Sequence, residues 1–325
     1  MNTVKLAPVT DSPEQKFHLA EVVTNGAQPS GTTFTVSPLN VGFAQAGAAP
    51  VNVNNWEIFD GSLLAVCFKY GDTFVVEGTA VMIGMGLALS AKHVFTDHLQ
   101  ALIGGEAVLY CFGVRPGGLA DIWECYAASS DSSGAGDLQL LCLKLVSKFD
   151  NGRNFKVMPL VTRVPPPGEM VSVVGFRFDE FVPAETLEDP VKLGGMTYVS
   201  KGDAGELSYP IHDSVLAPFP TLEVFSGSLG GMSGGAVLDI NNNLLGITSL
   251  GLDSDDNQGP TLAAWWMTAV FWRTQLAWPP GVYPDPTAIL WDLPTVTILG
   301  REYVQLLDEP NFNLRAWEAT SGTQT

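Results

Sequence analysis

A serine surrounded by glycines is the first feature of this sequence that could do chemistry. Residues 230–237 read Gly-Gly-Met-Ser-Gly-Gly-Ala-Val, so Ser233 lies where the backbone can turn tightly and expose the hydroxyl. Backbone N–H groups on such a loop can point at a substrate carbonyl and stabilise the oxyanion that forms there. We therefore predict that Ser233 is a nucleophile. An ordinary glycine turn before a strand is the alternative for this segment taken alone.

The pentapeptide at 231–235 also fits the G-x-S-x-G motif of α/β-hydrolases. That class requires a helix after the serine and the chain order serine, acid, histidine. Here the serine leads into a strand and hairpin instead. The four histidines, His18, His93, His98 and His212, all precede Ser233. The α/β-hydrolase assignment is therefore excluded, and the base must come from an earlier part of the chain.

His93 is the best candidate for that base because it follows directly on the apolar segment 88–91, Ala-Leu-Ser-Ala. A histidine just past the end of a strand is held rigidly and can still reach a cleft. We predict that His98 is surface-exposed in a polar turn, that His212 lies in a loop, and that His18 belongs to an extension. A purely structural histidine is the alternative for His93.

Asp137 is the best candidate for the carboxylate that orients the histidine. It opens the strongly apolar segment 138–143, so its side chain can be partly buried and can accept the imidazole N–H. The alternative is a strand-entry aspartate that bonds its own loop backbone. Asp121 and Asp131 are rivals, but neither opens an apolar strand so cleanly.

The elements that must position these residues are predicted to be strands. Short apolar and β-branched runs, broken by turns, occupy two parts of the chain. In the first part they are Ser62–Tyr70, Thr73–Val76, Thr79–Ile83, Leu87–Ser90, Ala107–Phe112 and Leu138–Leu145. In the second part they are Met170–Phe176, Leu193–Ser200, Glu206–Ile211, Thr221–Phe225, Ala236–Ile240 and Leu244–Leu250, with a hairpin turn at Asn241–Asn243.

This arrangement predicts an all-β fold of two six-stranded antiparallel β-barrels. We expect an N-terminal extension at 1–45, a first barrel with His93 and Asp137 at 46–158, and a proline-rich linker at 159–169. The second barrel, with Ser233, is expected at 170–278, followed by a C-terminal extension at 279–325. Apolar residues at helical spacing predict one long helix at Leu262–Trp278, which closes the second barrel region.

The composition narrows the classes of partner. The formal charge is −18, which disfavours binding to nucleic acid and to anionic membranes. No signal peptide or membrane-spanning segment is evident, so we expect a soluble protein. The four cysteines form no CxxC pair, and although a Cys111–Cys125 disulfide is left open, their sparseness favours a reducing, cytoplasmic location. We expect no metal and no cofactor.

The three candidates occur in the chain order His93, Asp137, Ser233. In this order the sequence resembles the chymotrypsin-like (trypsin-fold) serine peptidases over roughly residues 50–275. Members of that family place the histidine after a small-residue strand, here at 89–92, and the aspartate at the start of an apolar strand, here at 138–141. Their serine lies in a Gly-x-Ser-Gly-Gly loop, here at 231–235. The resemblance implies a peptide or protein substrate, and a regulatory protein partner is also considered.

The resemblance also implies further site residues. The oxyanion hole of the family would be formed by the N–H groups of Gly231 and Ser233. Its substrate-binding strand would be Ser249-Leu250-Gly251, which would pair antiparallel with the substrate backbone. The base of the primary specificity pocket would lie at Gly227, next to Ser228.

Departures from the family place the chain closer to its disulfide-free, intracellular and bacterial branch. Digestive members carry cysteines beside the histidine and the serine, where this chain has Val94 and no cysteine in 226–237. They also carry an aspartate before the nucleophile, where this chain has Met232. The branch includes the high-temperature-requirement peptidases, but no segment after Trp278 is long enough for their peptide-binding C-terminal domain.

Two further hypotheses compete with a serine endopeptidase. The first is a catalytically inactive trypsin-fold homologue that acts as a protein-binding module, because the sequence does not show whether the three groups are in register. The second is a subtilisin-like arrangement that uses Asp60 or Asp72. The subtilisin-like arrangement requires alternating strands and helices, which this chain lacks.

Overall fold

Strands make up most of the described chain, as the short apolar and β-branched runs predict. The structure is a computed structural model. It describes residues 2–5, 33–36, 43–46, 59–71, 73–115, 120–131, 135–146, 155–182, 190–252, 259–273, 285 and 287–315. The strands are β1 (Asn2–Lys5), β2 (Thr33–Val36), β3 (Phe43–Ala46), β4 (Leu63–Tyr70), β5 (Thr73–Gly84), β6 (Leu87–Ala91), β7 (Val108–Val114), β8 (Ala120–Ser130), β9 (Leu138–Leu145), β10 (Leu160–Val161), β11 (Met170–Val182), β12 (Pro190–Ser208), β13 (Thr221–Phe225), β14 (Ala236–Leu238), β15 (Leu244–Gly251), β16 (Thr261–Trp265), β17 (Ile298–Leu299), β18 (Val304–Leu306) and β19 (Phe312–Leu314). Two short helices, α1 (His93–Thr96) and α2 (Leu99–Gly104), follow β6, and 3₁₀ turns cover Trp266–Ala269, Leu290–Asp292 and Arg301–Tyr303.

The first barrel is a closed sheet of six antiparallel strands. Their order is β8–β9–β6–β5–β4–β7, and β7 pairs back onto β8. Closure removes the free sheet edges that would otherwise be exposed. The strands of the barrel carry fully buried apolar side chains, including Leu64, Val66, Phe68, Leu89 and Leu141. The N-terminal strand β1 pairs antiparallel with the end of β8 and so extends the barrel wall.

The second barrel repeats this architecture. Its order is β14–β11–β12–β13–β16–β15, and β15 pairs back onto β14. The interior holds buried side chains that include Val173, Leu222, Val224, Val237 and Leu245. Strands β2 and β3 pair parallel with β12, and β10 pairs parallel with both β15 and β17. Residues of both predicted extensions therefore add strands to the second barrel.

Two closed six-stranded antiparallel barrels constitute the chymotrypsin-like fold, so the predicted fold class is confirmed. The Asn241–Asn243 turn is also confirmed. Asn242 has a φ of 62°, and the buried Asp239 carboxylate accepts the backbone N–H groups of Asn241 and Asn243 at 2.9 and 2.8 Å.

The count of six strands in the first barrel is right, but two of the predicted strands are one. The predicted Thr73–Val76 and Thr79–Ile83 are parts of β5, whose register shifts where Val66 pairs with Gly78 and Cys67 with Val76. The apparent break is a β-bulge. Strand β8 was not predicted, because its buried Asp121 and Glu124 interrupt the apolar pattern.

The strand prediction for the second barrel contains the same kind of error. The predicted Leu193–Ser200 and the first three residues of the predicted Glu206–Ile211 belong to one strand, β12, which ends at Ser208 and has a register shift between Ala204 and Leu207. Gly205 lies inside this bulge, and an isolated glycine in a strand commonly marks one. The sixth strand is β16, which lies in the segment predicted to be helical.

The prediction of a long helix at Leu262–Trp278 is wrong over the part of it that the structure describes, 262–273. Strand β16 covers Thr261–Trp265, and only a 3₁₀ turn follows at Trp266–Ala269. All five residues of β16 are buried, so the strand presents an uninterrupted apolar run. Periodicity alone cannot distinguish such a run from a buried helix.

The four cysteines of the first barrel, Cys67, Cys111, Cys125 and Cys142, are all free and buried. Burial raises the pKa of each thiol, so these side chains stay protonated and pack as small apolar groups. The disulfide left open between Cys111 and Cys125 is not formed. Within the described ranges, no helix is long and apolar enough to cross a membrane.

Candidate active site

The pairing of two strands brings His93 and Asp137 together. Strands β6 and β9 are antiparallel, with Ala91 opposite Leu138, so the end of one strand meets the start of the other. The backbone N–H of Lys92 donates to the Asp137 carbonyl at 2.8 Å. The positions predicted from sequence, just after one apolar strand and just before another, are therefore adjacent in space.

The Asp137 carboxylate holds His93 at two points. Oδ1 accepts the backbone N–H of His93 at 3.0 Å, and Oδ2 lies 2.9 Å from the imidazole Nδ1. An aspartate that accepts the Nδ1 proton fixes the tautomer that leaves Nε2 as the basic nitrogen. The His93 side chain is 47% exposed and that of Asp137 is 12% exposed, so the imidazole reaches solvent while the carboxylate is largely buried.

The environment of His93 changes its affinity for a proton. Partial burial by itself lowers the pKa of His93, but the hydrogen bond that His93 donates to Asp137 and the negative charge of Asp137 together raise it by more. The net result is a pKa raised above the ordinary 6.5 of histidine. The pair thus favours the imidazolium, which is the form that appears when a base has accepted a proton.

Ser249 joins the second barrel to this pair. Its hydroxyl on β15 donates a short hydrogen bond to Oδ2 of Asp137, so the carboxylate accepts a backbone N–H, an imidazole N–H and a hydroxyl. The sequence predicted Ser249 only as part of a substrate-binding strand. Its contact with Asp137 spans 112 residues of chain, and no local pattern could have indicated it.

Ser233 lies on the predicted glycine loop. Met232 N–H donates to the Leu229 carbonyl at 3.0 Å and closes a turn in which Gly231 has a φ of 93°. Gly234 has a φ of 83° and donates its N–H to Thr248 at 2.7 Å. Positive φ values of this size favour glycine, so the loop requires the glycines that the sequence provides.

The Ser233 hydroxyl donates to the carbonyl of Ser249 at 3.4 Å. This is long for a hydroxyl hydrogen bond. Among the described residues, no hydrogen bond joins Ser233 to His93. Ser249 thus contacts both groups, with its carbonyl next to Ser233 and its hydroxyl next to Asp137. Catalytic hydrogen bonds are often long or misaligned until substrate binds.

The two predicted oxyanion donors are available. The N–H groups of Gly231 and Ser233 donate no hydrogen bond to any described residue, whereas both of their carbonyls are held. Met232, which stands where digestive peptidases have an aspartate, is fully buried, and its sulfur accepts the N–H of Leu229 at 3.2 Å. The loop is therefore packed without a charge at that position.

The residues predicted to form the specificity pocket lie next to one another. The carbonyl of the buried Gly227 accepts the Ser200 hydroxyl at 2.6 Å. A Cβ atom built on Gly251 would lie 2.8 Å from the hydroxyl oxygen of Ser228, so a larger residue at 251 would require that hydroxyl to move. Leu250, between Ser249 and Gly251, is partly exposed. The acidic residues at 253, 255 and 256 lie outside the described residues.

A cleft of about 340 Å³ opens beside the histidine. His93, Asp137 and Ser249 supply its polar side, and Leu216, Phe219 and Leu250 supply apolar side chains. Clefts of this size accommodate small ligands or a few side chains of a peptide. A larger cavity of about 950 Å³ lies at Thr162, Asp239 and Arg315, and none of the predicted site residues lines it.

The rival residues take other roles. The prediction that His98 is surface-exposed is wrong. Its ring stacks on Phe68 at 3.8 Å between ring centroids, and its Nδ1 lies 2.6 Å from the Tyr70 hydroxyl. A polar turn did not indicate that packing. His212 pairs with the Ser208 hydroxyl at 3.0 Å, and Asp121 lies 3.6 Å from Arg115. His18 lies outside the described residues.

Comparison with known proteins adds little beyond this geometry. No protein-family model and no curated protein matches the sequence. Among solved structures, human heparin binding protein is 11% identical, with a TM-score of 0.46 over 67% of this chain and 91% of that protein. The MamO protease domain from Magnetospirillum magneticum, in its apo form, is 13% identical, with a TM-score of 0.40 over 65% of this chain and 95% of that one. The assignment of the fold therefore depends on the two closed barrels themselves.

Proposed function

We propose that the protein is a serine endopeptidase that uses His93, Asp137 and Ser233. The observation that carries the proposal is the pair of contacts from Asp137 to the backbone N–H and to Nδ1 of His93, at 3.0 and 2.9 Å. Such a pair orients an imidazole so that Nε2 serves as the base. The glycine loop of Ser233 supplies the second part, a hydroxyl beside two unused N–H groups.

The reaction follows from these groups. His93 Nε2 takes the proton of the Ser233 hydroxyl as the oxygen attacks the substrate carbonyl carbon, and the N–H groups of Gly231 and Ser233 bind the oxyanion. His93 then gives the proton to the leaving amine as the C–N bond breaks. Water attacks the resulting acyl-enzyme and gives a proton to His93. As the ester bond breaks to release the acid, His93 returns that proton to the Ser233 oxygen, which restores the hydroxyl and the neutral imidazole.

Substrate binding is proposed to use the strand Ser249-Leu250-Gly251 and the pocket at Gly227 and Ser228. An extended peptide would add its backbone to this strand, while its side chains occupy the cleft. The apolar side chains of Leu216, Phe219 and Leu250 support a preference for apolar groups near the cleaved bond. A peptide or protein substrate, a cytoplasmic location and a regulatory protein partner stay predictions.

One observation favours a second candidate, an inactive homologue that binds protein. The Ser233 hydroxyl donates to Ser249 and not to His93 among the described residues. In an inactive protein this contact would persist when a peptide binds. In an enzyme, the hydroxyl must turn to His93.

Labelling with a fluorophosphonate probe tests the proposal against this alternative. We expect the wild-type protein to be labelled and to hydrolyse a denatured protein substrate. Ser233→Ala should abolish both, because the attacking oxygen is removed. Ser214→Ala, which changes an exposed serine on the loop that follows β12, is the matched control and should leave labelling unchanged. A wild-type protein that is neither labelled nor active would establish the inactive candidate instead.

A further inference from the structure

Thr79 of the first barrel contacts the serine loop of the second barrel at two points. Its backbone N–H donates to the Ser233 carbonyl at 2.8 Å, and its hydroxyl donates to the Gly231 carbonyl at 3.0 Å. The hydroxyl oxygen also accepts the backbone N–H of Phe176 at 2.8 Å. Thr79 is fully buried.

The direction of these hydrogen bonds is determined by the partners. Phe176 N–H can only donate, so the Thr79 hydroxyl oxygen is the acceptor in that contact and its proton is directed to Gly231. The hydroxyl thus uses both its donor and an acceptor site on buried backbone groups. Because these groups are removed from water, losing either partner would leave a buried polar group unpaired.

The two carbonyls that Thr79 holds are on either side of the Ser233 N–H. Holding the Gly231 and Ser233 carbonyls restricts the rotation of the peptide groups around the predicted oxyanion donor. Glycine-rich segments have wide conformational freedom, so this loop needs an external restraint to keep its N–H groups aimed. Stabilisation of an oxyanion depends on donors that are already in place before the reaction.

We propose that Thr79 is a positioning residue that holds the oxyanion loop in its working form. It does so from the opposite barrel and without a charge, which suits a loop whose residue before the nucleophile is the buried Met232. The inference depends on the proposed peptidase function, and it adds a residue that does not contact the reacting atoms.

The test compares three variants. Thr79→Val keeps the shape of the side chain and removes the hydroxyl, whereas Thr79→Ser keeps the hydroxyl. Thr162→Val is the matched control, because Thr162 is also buried and its hydroxyl donates to a distant carbonyl, that of Gly300, at 2.8 Å. Thr162 lines the larger cavity and not the cleft beside His93.

We expect Thr79→Val to lower kcat about 10²-fold with KM unchanged, because misplaced oxyanion donors weaken only the transition state. The affinity for a peptide aldehyde, which mimics the tetrahedral state, should fall in parallel. Binding of an unreactive peptide of the same sequence should not change. Thr79→Ser should recover most of the turnover, and Thr162→Val should match wild-type turnover even if it melts at a lower temperature.

Hydrogen exchange of the segment 229–235 provides a readout that needs no activity. The N–H groups of Met232, Gly234 and Gly235 are hydrogen-bonded, so their exchange should quicken in Thr79→Val and not in Thr162→Val. If the wild type is active and Thr79→Val keeps its turnover, the inference is overturned. If the wild type is inactive, the proposed peptidase fails, and unchanged exchange in Thr79→Val would overturn the positioning role separately.

Discussion

Adding one methyl group at Gly234, directly after the proposed nucleophile Ser233, should disrupt both stability and catalysis. Gly234 has a φ of 83°, which an L-residue rarely adopts. A Cβ built there would also overlap the Thr79 carbonyl oxygen and the Ser90 hydroxyl oxygen, and it would lie 3.1 Å from the Ala91 nitrogen. Because two of these three atoms belong to backbone in closed barrel strands, they cannot move aside as a flexible side chain would.

Gly168 provides a control with the same backbone strain and no crowding. Its φ is 86°, and nothing lies within 4 Å of a Cβ built there. The left-handed conformation should cost each alanine variant about 1–2 kcal/mol. Overpacking adds about 1–3 kcal/mol at Gly234 alone, so Gly234→Ala should lose about 2–5 kcal/mol in total. The difference corresponds to a melting temperature lower by about 2–12 °C than that of Gly168→Ala.

The rate of reaction at Ser233 should differ between the two variants more than their melting temperatures do. Relieving the overlap at Gly234 moves the loop by about an ångström, and such a displacement of a reacting group costs about 10²-fold in rate. We therefore expect Gly234→Ala to react with a fluorophosphonate probe at least about 10²-fold more slowly than Gly168→Ala, which should match the wild type. Equal melting temperatures and equal labelling rates for the two variants would refute the packing of the serine loop against β5.

Four further predictions concern the charge and hydrogen bonds of the site. Activity should rise with pH with a midpoint above 6.5, because Asp137 raises the pKa of His93 and only the neutral imidazole accepts the serine proton. A kcat/KM profile that is flat from about pH 5 to 8 would contradict this expectation. Asp137→Asn should lower kcat about 10⁴-fold and shift that midpoint downward, which a pH series of the variant measures; an unmoved midpoint would rule out the charge as the cause. Ser249→Ala should lower kcat only about 10- to 100-fold, since two of the three hydrogen bonds to the Asp137 carboxylate remain. A loss as large as that of Asp137→Asn would show that those two hydrogen bonds do not suffice to hold the carboxylate. A peptide library should show uncharged residues at the cleaved position, because Gly227 and Ser228 offer no carboxylate, and a profile dominated by Lys or Arg would overturn that expectation.

Residues of the candidate site could be proposed from sequence where their role requires a recognisable local pattern of neighbouring residues. Glycines around Ser233 indicated a tight turn, and Asp137 could be chosen because it opens an apolar strand. The contacts of Thr79 and Ser249 could not be predicted. They join residues 152 and 112 positions apart, and a buried hydroxyl has no local pattern that identifies its partner.

The strands, too, could be predicted only where the local sequence identifies them. The composition of the strands and turns predicted two barrels of six strands. Bulges in β5 and β12 each appeared in the sequence as a gap between two strands, because a bulge and a strand end are both marked by glycine. Strand β16 appeared as part of a helix because burial on every side removes the alternation that distinguishes strands.

The hydrogen bonds from Thr79 to the serine loop and from Ser249 to Asp137 all cross from one barrel to the other. Each barrel closes on its own ladder of backbone hydrogen bonds, so the two could separate slightly while both kept their native circular dichroism. In that condition Ser233 and the N–H groups of its loop would move away from His93 and Asp137, and the proposed site would no longer be assembled. Activity should therefore be lost at a lower denaturant concentration than the circular dichroism signal. The difference between the two midpoints would report the free energy with which the two barrels dock.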